Sequence, residues 1–299
     1  AGDWLYMLYR DGGDLDQDGD SNGNDAHADD GDIFFRRSSN NAESWSDPAV
    51  VSQINGDGDS NGGTIGYQYR SAIAAVDSYV YAAWVDWNLM DVDDYYDYEI
   101  MFAISSDYGA TWDEPFILSD SYGDDYSYEP VIVAQGSHVY VAWREYGNVD
   151  GSGALEYDIA FRHSEDYGQN WDDTVVPYDN DGADYYPALA LGGDRVYLAL
   201  IEYRQDPDST LYDYYVMSLW SDDYGNSWTE PVVVSNEDES NLADYPVLAA
   251  DSDTLYVAWT DYGNYDGDGV SDYDVIFKSS GNGGSSWSQP VVISDDIAT

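Results

Sequence analysis

The sequence contains no cysteine, so disulfides and thiolate chemistry are excluded and cysteine usage does not indicate a compartment. Only nine of its 299 residues are lysine or arginine, against 60 aspartate and glutamate residues, and the formal net charge is -51. Nucleic acids and anionic membrane surfaces are themselves polyanions, so this charge excludes both as electrostatic partners. No apolar run approaches the roughly 20 residues of a membrane span, and none is predicted.

The acidic residues that are present are mostly aspartates. Eleven of the 60 are glutamate and the remaining 49 are aspartate. A general need for solubility is met equally well by glutamate, whereas the shorter carboxylate favours turns and oxygen ligation of metal ions. Two explanations of the acidity stay open: a salt-adapted surface, and extensive binding of divalent cations. Aromatic residues make up 16% of the chain, which argues against disorder.

An eight-residue motif, S-x-D-x-G-x-x-W, recurs along the chain. Full copies are Ser105–Trp112, Ser164–Trp171 and Ser221–Trp228, and copies with Asn in place of Asp are Ser38–Trp45 and Ser280–Trp287. The five tryptophans are spaced by 67, 59, 57 and 59 residues. A period near 60 residues predicts a repeat architecture.

Each repeat has the pattern of four short strands. In the fifth repeat they are predicted at 246–250, 255–259, 274–277 and 290–293, with β-branched and aromatic residues between Gly, Asn and Asp. Four short strands repeated radially form a propeller blade, so we predict an all-β, five-bladed β-propeller of four-stranded antiparallel blades in a single domain. The predicted repeats are 1–53, 54–119, 120–178, 179–235 and 236–299.

The first repeat lacks its first strand, because it opens on the second strand at Trp4–Leu8. The sequence of 297–299, continued into 1–6, aligns without a gap on 189–197. We therefore predict that a C-terminal strand completes the first blade. This strand belongs either to the same chain, which closes its own ring, or to a neighbouring chain, which would build a filament by strand exchange.

The S-x-D-x-G-x-x-W motifs resemble the Asp-box (BNR) repeats of sialidase-like β-propellers, and the resemblance covers essentially the whole chain. It implies that each box lies in the turn between the third and fourth strands, away from the active face. Physical chemistry agrees with a structural role, since Ser and Asp can bond turn amides, Gly can adopt a positive φ and Trp can pack as an anchor.

The chain departs from the sialidases in its charge and in its repeat number. The resemblance implies six blades, three arginines that clamp the substrate carboxylate, a Tyr/Glu pair and an acid/base Asp, but this chain supplies five repeats. Arg10, Arg70 and Arg144 lie near strand ends, yet nothing in their spacing requires them to meet. An anionic substrate would also approach a repulsive field. These departures favour a protein that is not an enzyme.

The loops between the second and third strands carry alternating oxygen side chains followed by Gly. They resemble the first half of the calcium loops of EF-hands and dockerins, and Ca²⁺ takes 6–8 oxygen ligands. The alternative is that Asp, Asn and Gly simply form solvated turns. The predicted Ca²⁺ ligands are Asp11, Asp14, Asp16, Asp18, Asp20, Asp86, Asp91, Asp93, Asp97, Glu145, Asn148, Asp150, Glu156, Asp158, Asp261, Asn264, Asp266, Asp268, Asp272 and Asp274.

The sequence thus favours a non-enzymatic, secreted, calcium-binding propeller that acts as an extracellular structural or adhesive module. Its expected partners are other copies of itself or cell-surface glycans. The alternative is a carbohydrate-binding or glycoside-hydrolase propeller, in which Trp87, Tyr146, Tyr203 or Tyr262 would stack on sugar.

Overall fold

A computed structural model describes residues 4–11, 32–52, 70–90, 96–119, 126–149, 151, 154–180, 182–205, 212–235, 242–263 and 271–294. These residues form β-strands and turns, and no helix occurs among them. The strands are β1 (Leu5–Asp11), β2 (Asp32–Ser38), β3 (Ala49–Val50), β4 (Ala72–Val76), β5 (Tyr79–Met90), β6 (Tyr96–Ser105), β7 (Phe116–Ile117), β8 (Tyr126–Gln135), β9 (His138–Gly147), β10 (Glu156–Ser164), β11 (Ala183–Gly192), β12 (Arg195–Gln205), β13 (Tyr212–Ser221), β14 (Val232–Val233), β15 (Asp244–Asp251), β16 (Thr254–Gly263), β17 (Asp272–Ser280) and β18 (Val291–Val292).

The strands form five sheets, one for each predicted repeat. Their orders are β1-β2-β3, β4-β5-β6-β7, β10-β9-β8, β11-β12-β13-β14 and β15-β16-β17-β18. In the third repeat an antiparallel bridge between Phe161 and Val175 stands where the fourth strand was expected. The first sheet begins at the second strand of its repeat, as predicted. The strand expected to complete it falls on residues 295–299 and 1–3, which lie outside the described residues.

The chain divides into two compact units. Unit 1 comprises Ala1–Trp143 and Ser164–Thr174, and unit 2 comprises Arg144–His163 and Val175–Thr299. The prediction of a single domain with the given repeat boundaries stays a prediction.

The core of each unit lies between neighbouring sheets. In unit 1 Trp84 and Val80 of β5 pack with Phe35 of β2 and Met101 of β6. In unit 2 Ile201, Val216, Val257 and Trp259 form the corresponding cluster. In the second and fourth sheets the second strand, β5 or β12, carries an uninterrupted run of buried residues, because it has a paired strand on either side and apolar side chains on both faces.

The S-x-D-x-G-x-x-W motifs lie in the turns that follow the third strand. In the turn after β13, Ser221 Oγ accepts the Gly225 N–H (2.8 Å) and donates to Asp223 Oδ1 (2.8 Å). Asp223 Oδ1 also accepts the Ser227 N–H at 2.8 Å. Trp228 Nε1 donates to the Gly225 carbonyl at 3.0 Å, and its ring meets the Phe161 ring edge-on at 5.1 Å. The motif therefore closes the turn and fixes its sheet against the preceding one.

Candidate functional site

In unit 2 two carboxyl side chains face each other across neighbouring strands. Asp184 near the start of β11 is paired in register with Glu202 near the end of β12. Directly opposed residues of an antiparallel pair project to the same face, with Cβ atoms about 4.5–5.5 Å apart. Both side chains are buried, with exposed fractions of 1% and 2%. Asp184 and Glu202 are called the carboxyl pair below.

Polar neighbours distinguish the two members of the carboxyl pair. Arg204 Nη1 lies 2.9 Å from Glu202 Oε2, and the Tyr178 hydroxyl donates to Glu202 Oε1 at 3.3 Å. The Asn180 amide donates to Asp184 Oδ2 at 3.2 Å. Glu202 thus has a cation and a hydroxyl that favour its charged form, whereas among the described residues the Asn180 amide donates to Asp184.

These surroundings move the two pKa values apart. Burial raises the pKa of Asp184 well above its usual value, and the negative charge of Glu202 raises it further. Burial also raises the pKa of Glu202, but Arg204 and the Tyr178 hydrogen bond oppose that shift. Burial and the charge of Glu202 therefore both favour the protonated form of Asp184.

A cluster of tyrosine side chains lies on residues that alternate with the carboxyl pair along β11 and β12, and therefore on the opposite face of the sheet. Tyr185, which follows Asp184, lies 5.5 Å from Tyr157 and 6.4 Å from Tyr214, measured between ring centroids. Tyr214 lies 4.7 Å from Tyr203. The Arg144 guanidinium stacks over Tyr157 at 5.0 Å and over Tyr185 at 5.4 Å. The fourth sheet thus carries the carboxyl pair on one face and this tyrosine cluster on the other.

Two of the three arginines singled out in the sequence, Arg70 and Arg144, are engaged by other side chains. Arg70 Nη1 lies 3.5 Å from Glu129 Oε1 in unit 1, and Arg144 stacks on two tyrosines in unit 2. A guanidinium that pairs with a carboxylate or covers an aromatic face is less available to clamp a substrate carboxylate. These contacts do not favour the sialidase type of arginine clamp.

Several predicted calcium ligands accept hydrogen bonds from the protein itself. Asp261 Oδ1 accepts the Leu242 N–H and Oδ2 accepts Trp259 Nε1, both at 3.1 Å. Asp274, opposite Asp261 in register, accepts the Ser294 hydroxyl at 2.7 Å. These bonds tie together neighbouring strands of the fifth sheet, so the two acids have a structural role whether or not a cation binds beside them.

The bond from Ser294 to Asp274 is one of a repeated set that sequence reasoning missed. Ser52 donates to Asp32 at 2.9 Å, and Ser119 donates to Glu99. Each serine hydroxyl also accepts a backbone N–H of the third strand, for example Ile100 N at 2.9 Å. The signal was visible in the sequence, because a serine follows the fourth-strand Val, Leu or Ile in four of the five repeats. The four serines are Ser52, Ser119, Ser235 and Ser294.

The structure describes only some of the other predicted calcium ligands. Asp86 and Glu99 form a buried pair in register across β5 and β6. Glu145 and Asp158 are buried, Glu156 and Asp272 are half-buried, and Asn148 is exposed. Outside the described residues lie Asp14, Asp16, Asp18, Asp20, Asp91, Asp93, Asp150, Asn264, Asp266 and Asp268, together with the side chains of Asp11 and Asp97. Within the described residues, no three predicted ligands bring carboxylate oxygens within 4.8 Å of one another. Calcium binding stays a prediction.

No family model matches the chain, and no curated protein matches its sequence. Solved structures do match. The Hadza microbial sialidase Hz136 is 17% identical with a TM-score of 0.55, over 89% of this chain and 53% of the sialidase. A GH93 alpha-L-arabinofuranosidase of Fusarium graminearum is 16% identical with a TM-score of 0.52, over 72% of this chain and 62% of the enzyme. An alpha-L-arabinanase of Penicillium chrysogenum is 12% identical with a TM-score of 0.53, over 84% of this chain and 81% of the arabinanase.

These likenesses establish a sialidase-like β-propeller fold, in agreement with the all-β, antiparallel prediction. The chain spans about half to three fifths of the length of the sialidase and the arabinofuranosidase. They also overturn one prediction. The non-enzymatic structural or adhesive module is contradicted, because the structural neighbours are glycoside hydrolases.

The described residues include no helix long and apolar enough to cross a membrane. Self-association through the C-terminal strand stays a prediction, because that strand lies outside the described residues.

Proposed function

We propose that this chain is a glycoside hydrolase whose reacting groups are the carboxyl pair of unit 2. The observation that carries the proposal is the opposition of Asp184 and Glu202 across β11 and β12, with Arg204 beside Glu202 alone. Glycoside hydrolysis needs one carboxylic acid and one carboxylate at a fixed separation, and these surroundings create that division. The hydrolase neighbours add support by analogy of fold.

The proposed reaction is a double displacement. Asp184 gives its proton to the glycosidic oxygen as the bond from that oxygen to the anomeric carbon breaks. Glu202 attacks the anomeric carbon and forms a glycosyl ester. Water then displaces Glu202, and Asp184 takes a proton from that water, which restores both groups. Directly opposed side chains suit the roughly 5–5.5 Å carboxyl separation of retaining enzymes better than the wider gap of inverting ones.

Tyr178 serves this mechanism as a hydrogen-bond donor to Glu202. Burial, with the charges of Glu202 and Asp184, raises the pKa of Tyr178 to about 12, so its phenol stays protonated at neutral pH. Tyr178 and Asn180 bond the two carboxyls and are themselves only half-buried. A sugar reaches the pair by displacing these two side chains, and its hydroxyls take over their hydrogen bonds.

The proposal extends to the whole architecture. The five sheets are taken as five propeller blades, the S-x-D-x-G-x-x-W turns as Asp-box repeats, and the location as extracellular. The five sheets in repeat order and the sialidase-like neighbours support these assignments.

The experiment is a reducing-end assay on neutral polysaccharides, with arabinan and β-glucans as substrates. The wild-type chain should release reducing ends, and Glu202→Gln and Asp184→Asn should each lower the rate by roughly 10²-fold or more. Asp274→Asn is the matched control, since Asp274 is an equally buried acid of unit 2 outside the carboxyl pair. Equal rates for Glu202→Gln and wild type, or no release by the wild type from any substrate, would overturn the proposal.

A further inference from the structure

The fourth repeat differs from the other four at two positions beside Glu202. Two residues after the acid that follows the predicted second strand, the fourth repeat has Arg204, and the others have Gly13, Asn88, Gly147 and Gly263. Six residues before the serine of each S-x-D-x-G-x-x-W motif, the fourth repeat has Tyr215. The other four repeats have an acid there: Asp32, Glu99, Asp158 and Asp274.

Both replacements project to the face of the fourth sheet that carries the carboxyl pair. Tyr215 of β13 is opposite Glu202 of β12 in register, and directly opposed residues of an antiparallel pair share a face. Arg204 lies two residues after Glu202 and therefore shares that face as well. In the second and fifth sheets the same register joins two buried acids, Asp86 with Glu99 and Asp261 with Asp274. The fourth sheet thus exchanges an acid for a phenol ring and adds a cation.

The Tyr215 ring supports the guanidinium of Arg204. The guanidinium carbon lies 4.6 Å from the centroid of the Tyr215 ring, and Nη1 lies 2.9 Å from Glu202 Oε2. A guanidinium placed over an aromatic face is attracted by the negative potential of that face. Arg204 Nε is buried without a hydrogen-bond partner among the described residues. The stacked ring and the ion pair with Glu202 therefore fix the guanidinium between them.

Tyr215 is held more firmly than the arginine that it supports. Its exposed fraction is 2%, and its hydroxyl donates to Asp213 Oδ2 at 3.4 Å. The Arg204 side chain, in contrast, is 32% exposed. Without the ring beneath it, this long side chain would gain rotamer freedom by moving into solvent.

We propose that Tyr215 is a positioning residue that holds Arg204 against Glu202 and so keeps Glu202 as the carboxylate of the carboxyl pair. The proposal rests on the proposed function, in which Glu202 attacks as a carboxylate and Asp184 supplies the proton. A guanidinium that moved into solvent would leave Glu202 buried beside Asp184 without its cation. Burial would then favour the protonated form of Glu202, which cannot attack.

Other titratable groups act on the carboxyl pair from each neighbouring segment. They are Tyr178 before β11, Arg204 on β12, Asp213 and Tyr215 on β13, and Glu156 and Asp158 on β10. Arg204 is the one cation in this set. A change in its position therefore removes the attraction that opposes the effect of burial on Glu202.

Carbon-13 NMR of the chain labelled at the glutamate carboxyl carbon follows the ionisation of Glu202 directly. The chain has eleven glutamates, and Glu202→Gln assigns the signal. Tyr215→Leu should raise the pKa of Glu202, because Arg204 is released from it. A tyrosine that only covered Glu202 would give the opposite shift, because its removal admits water and water favours the charged form. Tyr215→Phe, which keeps the ring, should keep the wild-type pKa of Glu202.

A double-mutant cycle shows whether Tyr215 acts through Arg204. Arg204→Met should raise the pKa of Glu202 at least as far as Tyr215→Leu does, and adding Tyr215→Leu to Arg204→Met should raise it no further. Trp220→Leu is the matched control, because Trp220 of the same strand lies under Arg195 instead, 5.9 Å from its guanidinium. Thermal melting checks that each variant folds, and Tyr215→Met replaces Tyr215→Leu if the latter does not fold.

Three results would overturn the positioning role. They are an unchanged or lowered pKa of Glu202 in Tyr215→Leu, an equal rise in Trp220→Leu, and a full further rise when Tyr215→Leu is added to Arg204→Met. If the role holds and the chain hydrolyses a neutral polysaccharide, kcat/KM of Tyr215→Leu should fall most at acidic pH, where less of Glu202 is ionised. An equal loss at every pH would also overturn the role.

The two readouts separate this role from the proposed hydrolysis. If the pKa of Glu202 responds as expected and no polysaccharide is hydrolysed, Tyr215 positions Arg204 and the hydrolase proposal fails. If the wild type hydrolyses a polysaccharide and Tyr215→Leu keeps the wild-type pKa of Glu202, the hydrolase stands and the positioning role fails.

Discussion

At the scale of single residues, the glycine of each S-x-D-x-G-x-x-W turn is constrained in two ways. Gly225 has φ +94°, and a Cβ there would collide with the Phe161 ring. Ala42 occupies the same motif position in the first repeat at φ +66° and still donates its N–H to Ser38 Oγ. The backbone conformation alone is therefore tolerated in an alanine. The additional constraint at position 225 is the aromatic ring of the preceding sheet.

Gly225→Ala should accordingly lower the free energy of unfolding by about 2–4 kcal/mol. The loss has two causes: alanine is strained at a positive φ, and its Cβ would overpack against the Phe161 ring. Gly193→Ala provides the comparison, since Gly193 has φ +62° and nothing within 4 Å of its would-be Cβ. This second change should cost about 1–2 kcal/mol, from the backbone alone. Urea unfolding of both variants measures the difference, and equal losses would show that the Phe161 contact has no energetic weight.

A second residue-scale prediction concerns Asp86, which is buried opposite Glu99. Burial raises its pKa from 3.8 to about 6, and the charge of Asp32 adds to the shift. The folded chain then holds this proton more tightly than the unfolded chain. Stability due to Asp86 is therefore complete below pH 3.8, falls as pH rises toward 6 and is lost above it, by about 3 kcal/mol.

Asp86→Asn removes this titration. Its free energy of unfolding should gain on wild type progressively between pH 4 and pH 6, as measured by urea unfolding at a series of pH values. Asp113→Asn, at an exposed aspartate of the same unit, controls for the loss of one negative charge. If the difference between Asp86→Asn and wild type did not vary with pH, the predicted shift would be wrong.

At the scale of elements, the motif turns show how one geometry is built from different residues. Asn40 and Asn282 replace Asp, and each accepts the N–H of a serine four residues later at 3.0 Å. Asp223→Asn should therefore cost less than about 0.5 kcal/mol. Asp223→Ala should cost about 1–2 kcal/mol, because the turn amide of Ser227 loses its acceptor. Thermal unfolding of the pair compares them, and equal costs would refute the shared geometry.

The strands were predictable from the repeats, because aligned copies reinforce a weak periodic signal. Strand order and the placement of the motifs in turns follow from that alignment. The carboxyl pair was not predictable in the same way. The positions equivalent to Asp184 are Ser127 and Ala243 in the neighbouring repeats, so an alignment of repeats treats Asp184 as variation. Register across β11 and β12, which places Asp184 opposite Glu202, emerges only in the folded sheet.

At the scale of the whole molecule, net charge misdirected the functional prediction. A charge of -51 describes the average surface, and from it the sequence favoured a structural module that binds cations. A catalytic site depends on a few groups whose surroundings differ from that average. Arg204 beside Glu202 is one local exception that the whole-chain inventory did not reveal.

The charge does predict a dependence of stability on salt. Repulsion among the carboxylates opposes the compact state, and raising NaCl from 0.1 to 1 M shortens the screening length from about 10 Å to about 3 Å. The Tm should therefore rise over this range, as followed by circular dichroism.

Addition of EGTA at fixed ionic strength should lower the Tm if the predicted calcium loops hold Ca²⁺. A Tm that is indifferent to NaCl would contradict the repulsion, and one indifferent to EGTA would remove the calcium prediction.

The central claim, that Asp184 and Glu202 act together on a glycosidic bond, is tested most directly by the stereochemistry of the product. Proton NMR of freshly hydrolysed neutral oligosaccharide gives the anomeric configuration of the released sugar before it mutarotates. The directly opposed carboxyls predict retention of the substrate configuration, and its loss in Glu202→Gln. An inverted product, an unchanged product and rate in Glu202→Gln, or no hydrolysis of any neutral oligosaccharide would contradict the claim.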